Sequence, residues 1–210
     1  MKQLHLIVTI LSGLLLGAQS FNYRDRKDWG KNFPVCSDGQ HQSPIQMVPD
    51  SKGEFPMYGT GGQIFDFNLL PDEIIMTNNG YTVELKPKWS EDTPRVTGGP
   101  LKGTYVFEKT TFHWSKYKGN GSEHTLYNEK TKKNFEYDME MQMYFYKQEY
   151  KTFTKARNQK GGLAVFVNWL RLHEFWKINL AMGYPSNIRP PQALNGREIK
   201  TVQFTAKGHY

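Results

Sequence analysis

Polar and apolar residues alternate strictly over residues 136–145, and this is the clearest periodic pattern in the chain. A period of two predicts a strand with one polar and one apolar face. The strand therefore carries Glu140 and Gln142 on the same face. The same rule places Thr111 and His113 together on a second predicted strand. If the two strands are neighbours, the four polar side chains converge at one place.

The rest of the chain also indicates mostly β-structure, because Gly and Pro residues divide it into short segments of about ten residues. Asn-Asn-Gly at 78–80 predicts a hairpin turn between strands at 74–76 and 81–85. The apolar run 163–167 is typical of a buried strand in the middle of a sheet. The stretch 170–181 fits neither period cleanly, and we favour a helix there only slightly.

The first twenty residues predict a secretory signal peptide. Lys2 supplies a positive charge, residues 6–16 form an apolar run, and Ala18-Gln19-Ser20 resembles a cleavage site. We therefore expect a secreted, extracellular protein whose single domain covers residues 21–210, a length that can bury a substantial core. No later stretch has the uncharged length of a membrane span, so we expect no transmembrane segment.

The chain is basic, with 27 Lys and Arg residues against 20 Asp and Glu residues and a net charge of +7. The densest cluster comprises Lys130, Lys132 and Lys133, with Lys116 and Lys118 nearby in the sequence. Such a cluster is usually a solvated loop. The alternative is attraction to an acidic extracellular partner, such as an acidic protein, a sulfated glycan or anionic lipid headgroups. No nucleic-acid motif is present, and we expect no nucleic-acid partner.

Cys36 is the only cysteine in the chain. In a secreted protein this predicts a lost partner, a disulfide to another chain or a free thiol. A buried, inert thiol and a disulfide dimer through Cys36 both remain open. Asn120-Gly121-Ser122 is the one glycosylation sequon, which makes Asn120 a candidate glycan acceptor.

Several short motifs, in one order along most of the mature chain, resemble those of the α-class carbonic anhydrases. They are Trp29-Gly30, Gln42-Ser43-Pro44-Ile45, Asn78-Asn79-Gly80, Thr111-Phe112-His113-Trp114, Gly162-Leu163-Ala164-Val165 and the segment 187–197. The resemblance implies a mainly β (α+β) fold with a central twisted, largely antiparallel sheet and short peripheral helices, here incomplete on its C-terminal side. It also implies a zinc site that hydrates CO2.

The zinc site implied by the resemblance consists of three histidines, at positions that here hold Thr111, His113 and Gln142. A catalytic zinc needs three protein ligands, and hydroxyl or amide oxygens are poor ligands beside imidazole. We therefore expect no zinc, and we interpret His113 as a hydrogen-bonded histidine in a cleft, at most a weak ligand. Tyr81 replaces the proton-shuttle histidine of the family, and a phenol shuttles protons poorly near neutral pH.

The resemblance assigns Glu140 to the carboxylate that orients a ligand histidine, and Glu123 to the one that accepts from an active-site threonine. His124 is the packed neighbour of Glu123. We predict that the three form a polar network that now serves the fold. The family's threonine segment and the usual partner of Cys36 have no match here. A block between about 168 and 186 is therefore missing, through a natural deletion, an alternative transcript or a faulty gene model.

The leading hypothesis is a secreted, glycosylated carbonic-anhydrase-related pseudoenzyme that lacks zinc-dependent CO2 hydration and acts by binding. One alternative is a carbonic anhydrase that keeps hydratase or weak esterase activity through an altered zinc site, in which His124 replaces a lost ligand. Another alternative is a truncated product that folds poorly, because removing strands from a sheet exposes edges and core.

Overall fold

The computed structural model describes residues 22–49, 57–117, 120–170, 186–193, 195 and 201–207. The predicted signal peptide and residues 171–181 of the stretch left between helix and strand lie outside the described residues. Within the described ranges, no helix is long and apolar enough to cross a membrane.

Strands dominate the described chain, and the helices are single turns. The strands are β1 (Gln46–Met47), β2 (Met57–Phe65), β3 (Glu73–Asn78), β4 (Val83–Lys88), β5 (Arg95–Gly98), β6 (Leu101–Trp114), β7 (Thr125–Asn128), β8 (Lys133–Phe135), β9 (Met139–Lys147), β10 (Leu163–Leu170) and β11 (Thr201–Lys207). The α-helices are α1 (Trp29–Asn32), α2 (Val35–Asp38) and α3 (Phe153–Ala156), with 3-10 turns at Arg26–Asp28 and Gln148–Tyr150.

The main sheet has eight strands, with the order β10-β9-β6-β5-β2-β11 and the β3–β4 hairpin joined to β6 through β4. Its pairs are antiparallel except for β11 and β2, which run parallel. A smaller three-stranded sheet has the order β1-β7-β8. The prediction of a mainly β fold with a largely antiparallel sheet and short helices is confirmed.

The hairpin predicted at the Asn-Asn-Gly sequence is confirmed. Strands β3 and β4 pair with Asn78 opposite Val83. The Asn78 side-chain oxygen accepts from the Gly80 amide at 3.0 Å. Gly80 itself has a φ of 87°, a conformation that glycine adopts without a steric penalty.

The strand predicted over 136–145 is present, but β9 begins at Met139 and extends to Lys147. Residues before the strand bond to a loop and not to a neighbouring strand. The Tyr137 carbonyl accepts from the amides of Gly121 and Ser122, at 2.8 and 3.0 Å. The alternation in the sequence therefore begins before the residue at which the strand starts to pair with its neighbours.

The apolar run at 163–167 lies in a strand as predicted, but its predicted place in the middle of the sheet is wrong for the described residues. Strand β10 pairs with β9 and stands at the end of the described strand order. The Val165 side chain is 42% exposed. An apolar run indicates that neither face of a strand is polar. It does not indicate whether the strand pairs with a neighbour along both of its edges.

Two apolar clusters hold the sheet together. The larger consists of buried Val96, Tyr105, Phe107 and Phe145, in which the last two rings meet edge to face with centroids 5.3 Å apart. In the second, Trp114 and Met139 are buried, and Tyr81, Val83 and Phe112 are among the side chains packed against them. Because side chains alternate along a strand, Trp114 in this cluster leaves its neighbour His113 on the opposite face.

Candidate functional site

Strands β6 and β9 bring the four polar residues of the sequence analysis together. They pair antiparallel with Thr111 opposite Gln142 and His113 opposite Glu140. All four side chains are buried. Directly opposed residues of an antiparallel pair have side chains close enough to interact, so the register alone creates a polar centre between the two strands.

The Gln142 amide is the hub of this centre. Its nitrogen Nε2 donates to Oε1 of Glu140 at 2.7 Å and to Oε2 of Glu123 at 3.1 Å. Its oxygen Oε1 accepts from the Tyr144 hydroxyl at 2.7 Å. Both ends of the amide are therefore engaged by protein groups.

His113 is held through its Nδ1 atom. This nitrogen lies 2.7 Å from the backbone carbonyl of Asn187 and 3.3 Å from Oε2 of Glu123. A carbonyl oxygen can only accept, so Nδ1 carries a proton. The bond fixes the orientation of the ring and leaves Nε2 as the nitrogen that could bind another group.

Asn187 joins the C-terminal segment to β6. The side chain is fully buried, and its oxygen accepts from the Trp114 amide at 2.8 Å. Its nitrogen donates to the carbonyls of Tyr81 and Phe112, at 2.9 and 2.8 Å. A single asparagine therefore satisfies backbone groups of two segments and also positions His113.

Glu123 is a buried carboxyl whose pKa is raised because burial disfavours its charged form. The nearby His113 and a backbone donor oppose that shift without reversing it. The donor is the Arg189 amide, which lies 2.6 Å from Oε1. The threonine that the resemblance places against this carboxyl has no match in the chain, and a backbone amide bonds to Glu123 here.

Glu140 and His124 form the second carboxylate pair. The ring Nδ1 of His124 lies 2.8 Å from Oε1 of Glu140, and its amide donates to Oε2 at 2.8 Å. Burial tends to raise the pKa of Glu140, but the hydrogen bonds from His124 and Gln142 outweigh it and lower the pKa. The carboxylate that orients a zinc-bound histidine in the family here orients His124 and an amide.

Tyr81 and Thr111 lie on opposite sides of this part of the sheet. The Tyr81 ring packs against the apolar cluster of Trp114 and Met139, and its carbonyl accepts from Asn187. The Thr111 hydroxyl is buried close to the Tyr144 phenol.

A cavity of about 450 Å³ opens beside the polar centre. Its walls include Tyr23, Trp29, Ser43, His124, Tyr144 and Arg189. Burial raises the pKa of Tyr144 to about 12 and also raises that of Tyr23, so both phenols stay protonated at neutral pH. The cavity therefore combines neutral aromatic walls with a few polar groups, as in sites that bind small organic molecules.

The other predicted residues lie away from this cavity. Cys36 is half-buried beside a second cavity of about 480 Å³, whose walls include Arg24, Arg26 and Lys27. Asn120 is exposed, as a glycan acceptor must be.

The lysine cluster is exposed at Lys130, Lys132 and Lys133, and Lys132 pairs with Glu129 at 2.6 Å. Lys116 is exposed as well, whereas Lys118 lies outside the described residues.

Four residues of the site were not singled out by the sequence analysis. Asn187, Arg189 and Ser43 belong to quoted motifs, but a motif does not state which group each side chain contacts. Tyr144 lies two residues after Gln142, so alternation predicts that the two share a face of the strand. It does not predict that the Tyr144 hydroxyl bonds to the Gln142 amide.

The donors at the centre do not fit the zinc that the resemblance implies. The Gln142 amide is bonded to three protein groups, and His113 offers one imidazole nitrogen. His124, the possible replacement, has Nδ1 against Glu140 and Nε2 3.2 Å from Ser43 Oγ. In the part of the chain that the structure describes, no group of three or more His, Cys, Asp or Glu side chains is placed to hold a metal. One imidazole with neutral oxygens is a weak site for zinc.

Comparisons with known proteins point to one family. The family model described as eukaryotic-type carbonic anhydrase matches residues 24–175. Carbonic anhydrase 7 of Homo sapiens is 32% identical over 138 residues, which cover 65% of this chain and 48% of that protein. Carbonic anhydrase 7 of Mus musculus is 30% identical over 146 residues, or 66% of this chain and 49% of that protein. Carbonic anhydrase 6 of Homo sapiens is 26% identical over 222 residues, or 97% of this chain and 68% of that protein. The chain thus spans about half the length of the two carbonic anhydrase 7 relatives.

Proposed function

The chain belongs to the eukaryotic-type carbonic anhydrase family, and we propose that it is a secreted, carbonic-anhydrase-related protein without zinc-dependent CO2 hydration. In this proposal the protein acts by binding. The secretion part rests on the signal-like residues 1–20, and the loss of hydration rests on the polar centre between β6 and β9.

The Gln142 amide is the observation that carries the proposal. It bonds to Glu123, Glu140 and Tyr144 at 3.1, 2.7 and 2.7 Å. A metal that took the Gln142 oxygen would compete with the Tyr144 hydroxyl. It would also disturb the amide whose nitrogen donates to two buried carboxyl groups. Those hydrogen bonds are costly to break, because the buried carboxyl groups have no water to replace them.

CO2 hydration by this family depends on a zinc-bound water of lowered pKa, and carbonic anhydrase is itself the standard example of that chemistry. A site that does not hold zinc cannot generate this nucleophile. The remaining side chains do not replace it, because Nδ1 of His113 is bonded to the Asn187 carbonyl and burial raises the pKa of Tyr144.

The alternative of an altered zinc site with His124 as a new ligand has less support. To bind a metal, His124 would have to break its Nε2 contact with Ser43 or its Nδ1 hydrogen bond with Glu140. The second of these is one of the hydrogen bonds that lower the pKa of the buried Glu140. Among the residues that the structure describes, no contact favours this rearrangement.

Zinc content is the test of the proposal. The protein would be purified after zinc supplementation, in parallel with the double variant Thr111→His/Gln142→His, and both would be analysed by metal mass spectrometry. We expect far less than one zinc per chain in the unaltered protein and a higher content in the variant, which has three imidazoles. About one zinc per unaltered chain, with sulfonamide-inhibited hydration of CO2, would contradict the proposal.

An acidic extracellular partner fits the basic charge of the chain. The exposed lysines Lys130, Lys132 and Lys133 follow one another along the β7–β8 turn, and exposed clusters of one sign attract polyanions. We expect retention on a heparin column beyond that of a triple Lys→Ser variant of these positions. Elution of both proteins together at very low salt would remove the sulfated glycan from the proposal and leave an acidic protein.

A further inference from the structure

Much of the positive charge of the chain lies in residues 147–162, at and after the end of β9, which we call the basic loop. The loop has five basic side chains and one acidic side chain, so it carries +4 of the chain's net charge of +7. The basic residues are Lys147, Lys151, Lys155, Arg157 and Lys160, and the acidic residue is Glu149. The region 129–133 at the β7–β8 turn carries only +2, because Glu129 offsets one of its three lysines.

Most of the charges in the basic loop are not matched by an acidic partner in the part of the chain that the structure describes. Lys147 is paired with Glu149 at 2.7 Å. The side chains that are exposed and form no ion pair with a described residue are those of Lys151, Lys155, Arg157 and Lys160. Three lysines of β4 and β6 differ, since they form the ion pairs Lys86–Glu108, Lys88–Glu73 and Lys109–Glu84, at 2.6, 2.9 and 2.6 Å. The basic loop therefore presents uncompensated positive charge to solvent, which attracts polyanions.

The backbone of the basic loop is held in place by bonds to itself and to the main sheet. Its two ends are joined by a hydrogen bond from the Lys147 amide to the Gly162 carbonyl at 2.8 Å. The Gly161 carbonyl accepts from the hydroxyl of Tyr105 on β6 at 2.6 Å. Ala156, in the α3 turn within the loop, is fully buried. The charges are therefore displayed on an ordered backbone, which lowers the entropy lost when a partner binds.

An open cavity of about 610 Å³ lies in the basic loop. Its walls include Lys151, Thr154, Lys155, Asn158 and Gln159. The ammonium groups supply positive charge, and the hydroxyl and amide groups can donate hydrogen bonds. Glu149 also lines the cavity, but its carboxylate is paired with Lys147. This set of donors suits a group with several acceptor oxygens and a negative charge, such as a sulfate ester.

The basic loop lacks the exposed apolar side chains that a protein or membrane partner would use. In the described chain, exposed large hydrophobic side chains occur at positions such as Leu70 and Phe135, and none lies within the loop. Protein interfaces depend on buried aromatic or aliphatic anchors, and segments that bind a membrane surface insert apolar side chains. A hydrophilic polyanion needs neither. Among acidic extracellular partners, a sulfated glycan therefore fits this surface best.

We propose that the basic loop is a binding face for sulfated glycans, in which Lys151 and Lys155 contact a sulfate group bound in the 610 Å³ cavity. The inference rests on the proposed function, because it takes up the acidic extracellular partner named there. It assigns that partner to a surface other than the β7–β8 turn. It involves neither the polar centre between β6 and β9 nor the cavity beside that centre.

Two triple variants that change the net charge equally test the location of the site. One is Lys151→Gln/Lys155→Gln/Lys160→Gln in the basic loop, and the matched control is Lys130→Gln/Lys132→Gln/Lys133→Gln at the β7–β8 turn. All six side chains are exposed, so neither variant removes a buried contact. Affinity for a heparin hexasaccharide would be measured by titration calorimetry at several salt concentrations.

We expect the basic-loop variant to bind the hexasaccharide roughly tenfold or more weakly than the unaltered protein, and the control to lose less than about threefold. The affinity of the basic-loop variant should also depend less steeply on salt, because fewer cations displace counterions from the glycan. Equal losses in the two variants would overturn the proposal, since binding would then follow the net charge of the protein and not the loop.

The identity of the ligand is tested with two further probes on the unaltered protein. A desulfated hexasaccharide should bind far more weakly than the sulfated one, and equal binding of both would overturn the sulfate subsite. Binding to phosphatidylserine vesicles without binding to the hexasaccharide would overturn the choice of a glycan. These results are independent of zinc content, so a failure here leaves the proposed loss of CO2 hydration standing, and a zinc-loaded protein would contradict that loss alone.

Discussion

Replacing Gln142 by Glu tests whether the amide holds the polar centre together. The substitution keeps the size of the side chain but replaces the Nε2 donor with an acceptor. It therefore breaks the bonds to Glu140 and Glu123, at 2.7 and 3.1 Å, and sets a third carboxyl group beside two others. The bond to the Tyr144 hydroxyl can persist, because a carboxylate oxygen accepts as an amide oxygen does.

The magnitude follows from the two lost bonds. A hydrogen bond to a charged group contributes roughly 1.5–3 kcal/mol, so their sum is about 3–6 kcal/mol as an upper bound, since both start from one nitrogen. Repulsion between carboxylates adds to this loss at neutral pH. A domain of this size unfolds with about 5–15 kcal/mol, so we expect Gln142→Glu to lose a large part of its stability.

The loss should depend on pH with a definite sign. Burial and the neighbouring carboxylates raise the pKa of the new carboxyl group in the folded state above its value in the unfolded chain. The penalty is therefore small below the unfolded-state pKa, grows as the pH rises, and is greatest above the raised pKa, where the folded state must carry the buried charge. It shrinks as the pH falls, because a protonated carboxyl can again donate to Glu140.

Urea unfolding followed by Trp fluorescence, at about pH 7 and about pH 5, measures both effects. Gln148→Glu is the matched control, because it adds the same charge at an exposed position just after β9. We expect the control to change the free energy of unfolding by less than about 0.5 kcal/mol. A Gln142→Glu variant as stable as this control at neutral pH would refute the role of the Nε2 bonds.

Three further predictions concern residues outside the amide hub. The lowered pKa of Glu140 means that its stabilising contribution is present above its ordinary value of 4.5 and is lost as the pH falls through the lowered pKa, so Glu140→Gln should flatten the acid side of the urea midpoint profile. If Cys36 forms a disulfide dimer, non-reducing electrophoresis should show a band at twice the chain mass that Cys36→Ser abolishes, and a single monomer band would favour the free thiol. Glycosylation at Asn120 should appear as a mass decrease on enzymatic deglycosylation of the protein secreted from eukaryotic cells, and Asn120→Gln should remove it.

The faces of β6 and β9 could be predicted from sequence because alternation is a local property of a strand. It places His113 with Thr111, and Glu140 with Gln142, without knowledge of any partner. The register that sets His113 opposite Glu140 is a long-range property, and only the family resemblance indicated that the two strands are neighbours.

The bonding of the site could not be predicted, because a residue type states what it can donate or accept and not which group it meets. Gln142, at a position where the resemblance implies a zinc ligand, predicted a weak metal site, but its bridge between Glu123 and Glu140 depends on side-chain positions in two segments. The end of the described sheet at β10 was missed for a similar reason, since the composition of 163–167 describes the faces of a strand and not its edges.

The hydrogen bonds of the C-terminal segment maintain the fold and are distinct from the groups that would carry the zinc chemistry. Asn187 fixes His113, and the Arg189 amide satisfies Glu123, at 2.7 and 2.6 Å. These bonds need the segment that follows residue 185, whatever lies between it and β10. They do not need a metal, because each joins two protein groups. Substitution at the positions of Thr111 and Gln142 can therefore change the chemistry of the centre while the buried donors and acceptors around it stay paired. The pocket beside the centre, which the binding proposal requires, therefore rests on bonds that do not depend on a metal.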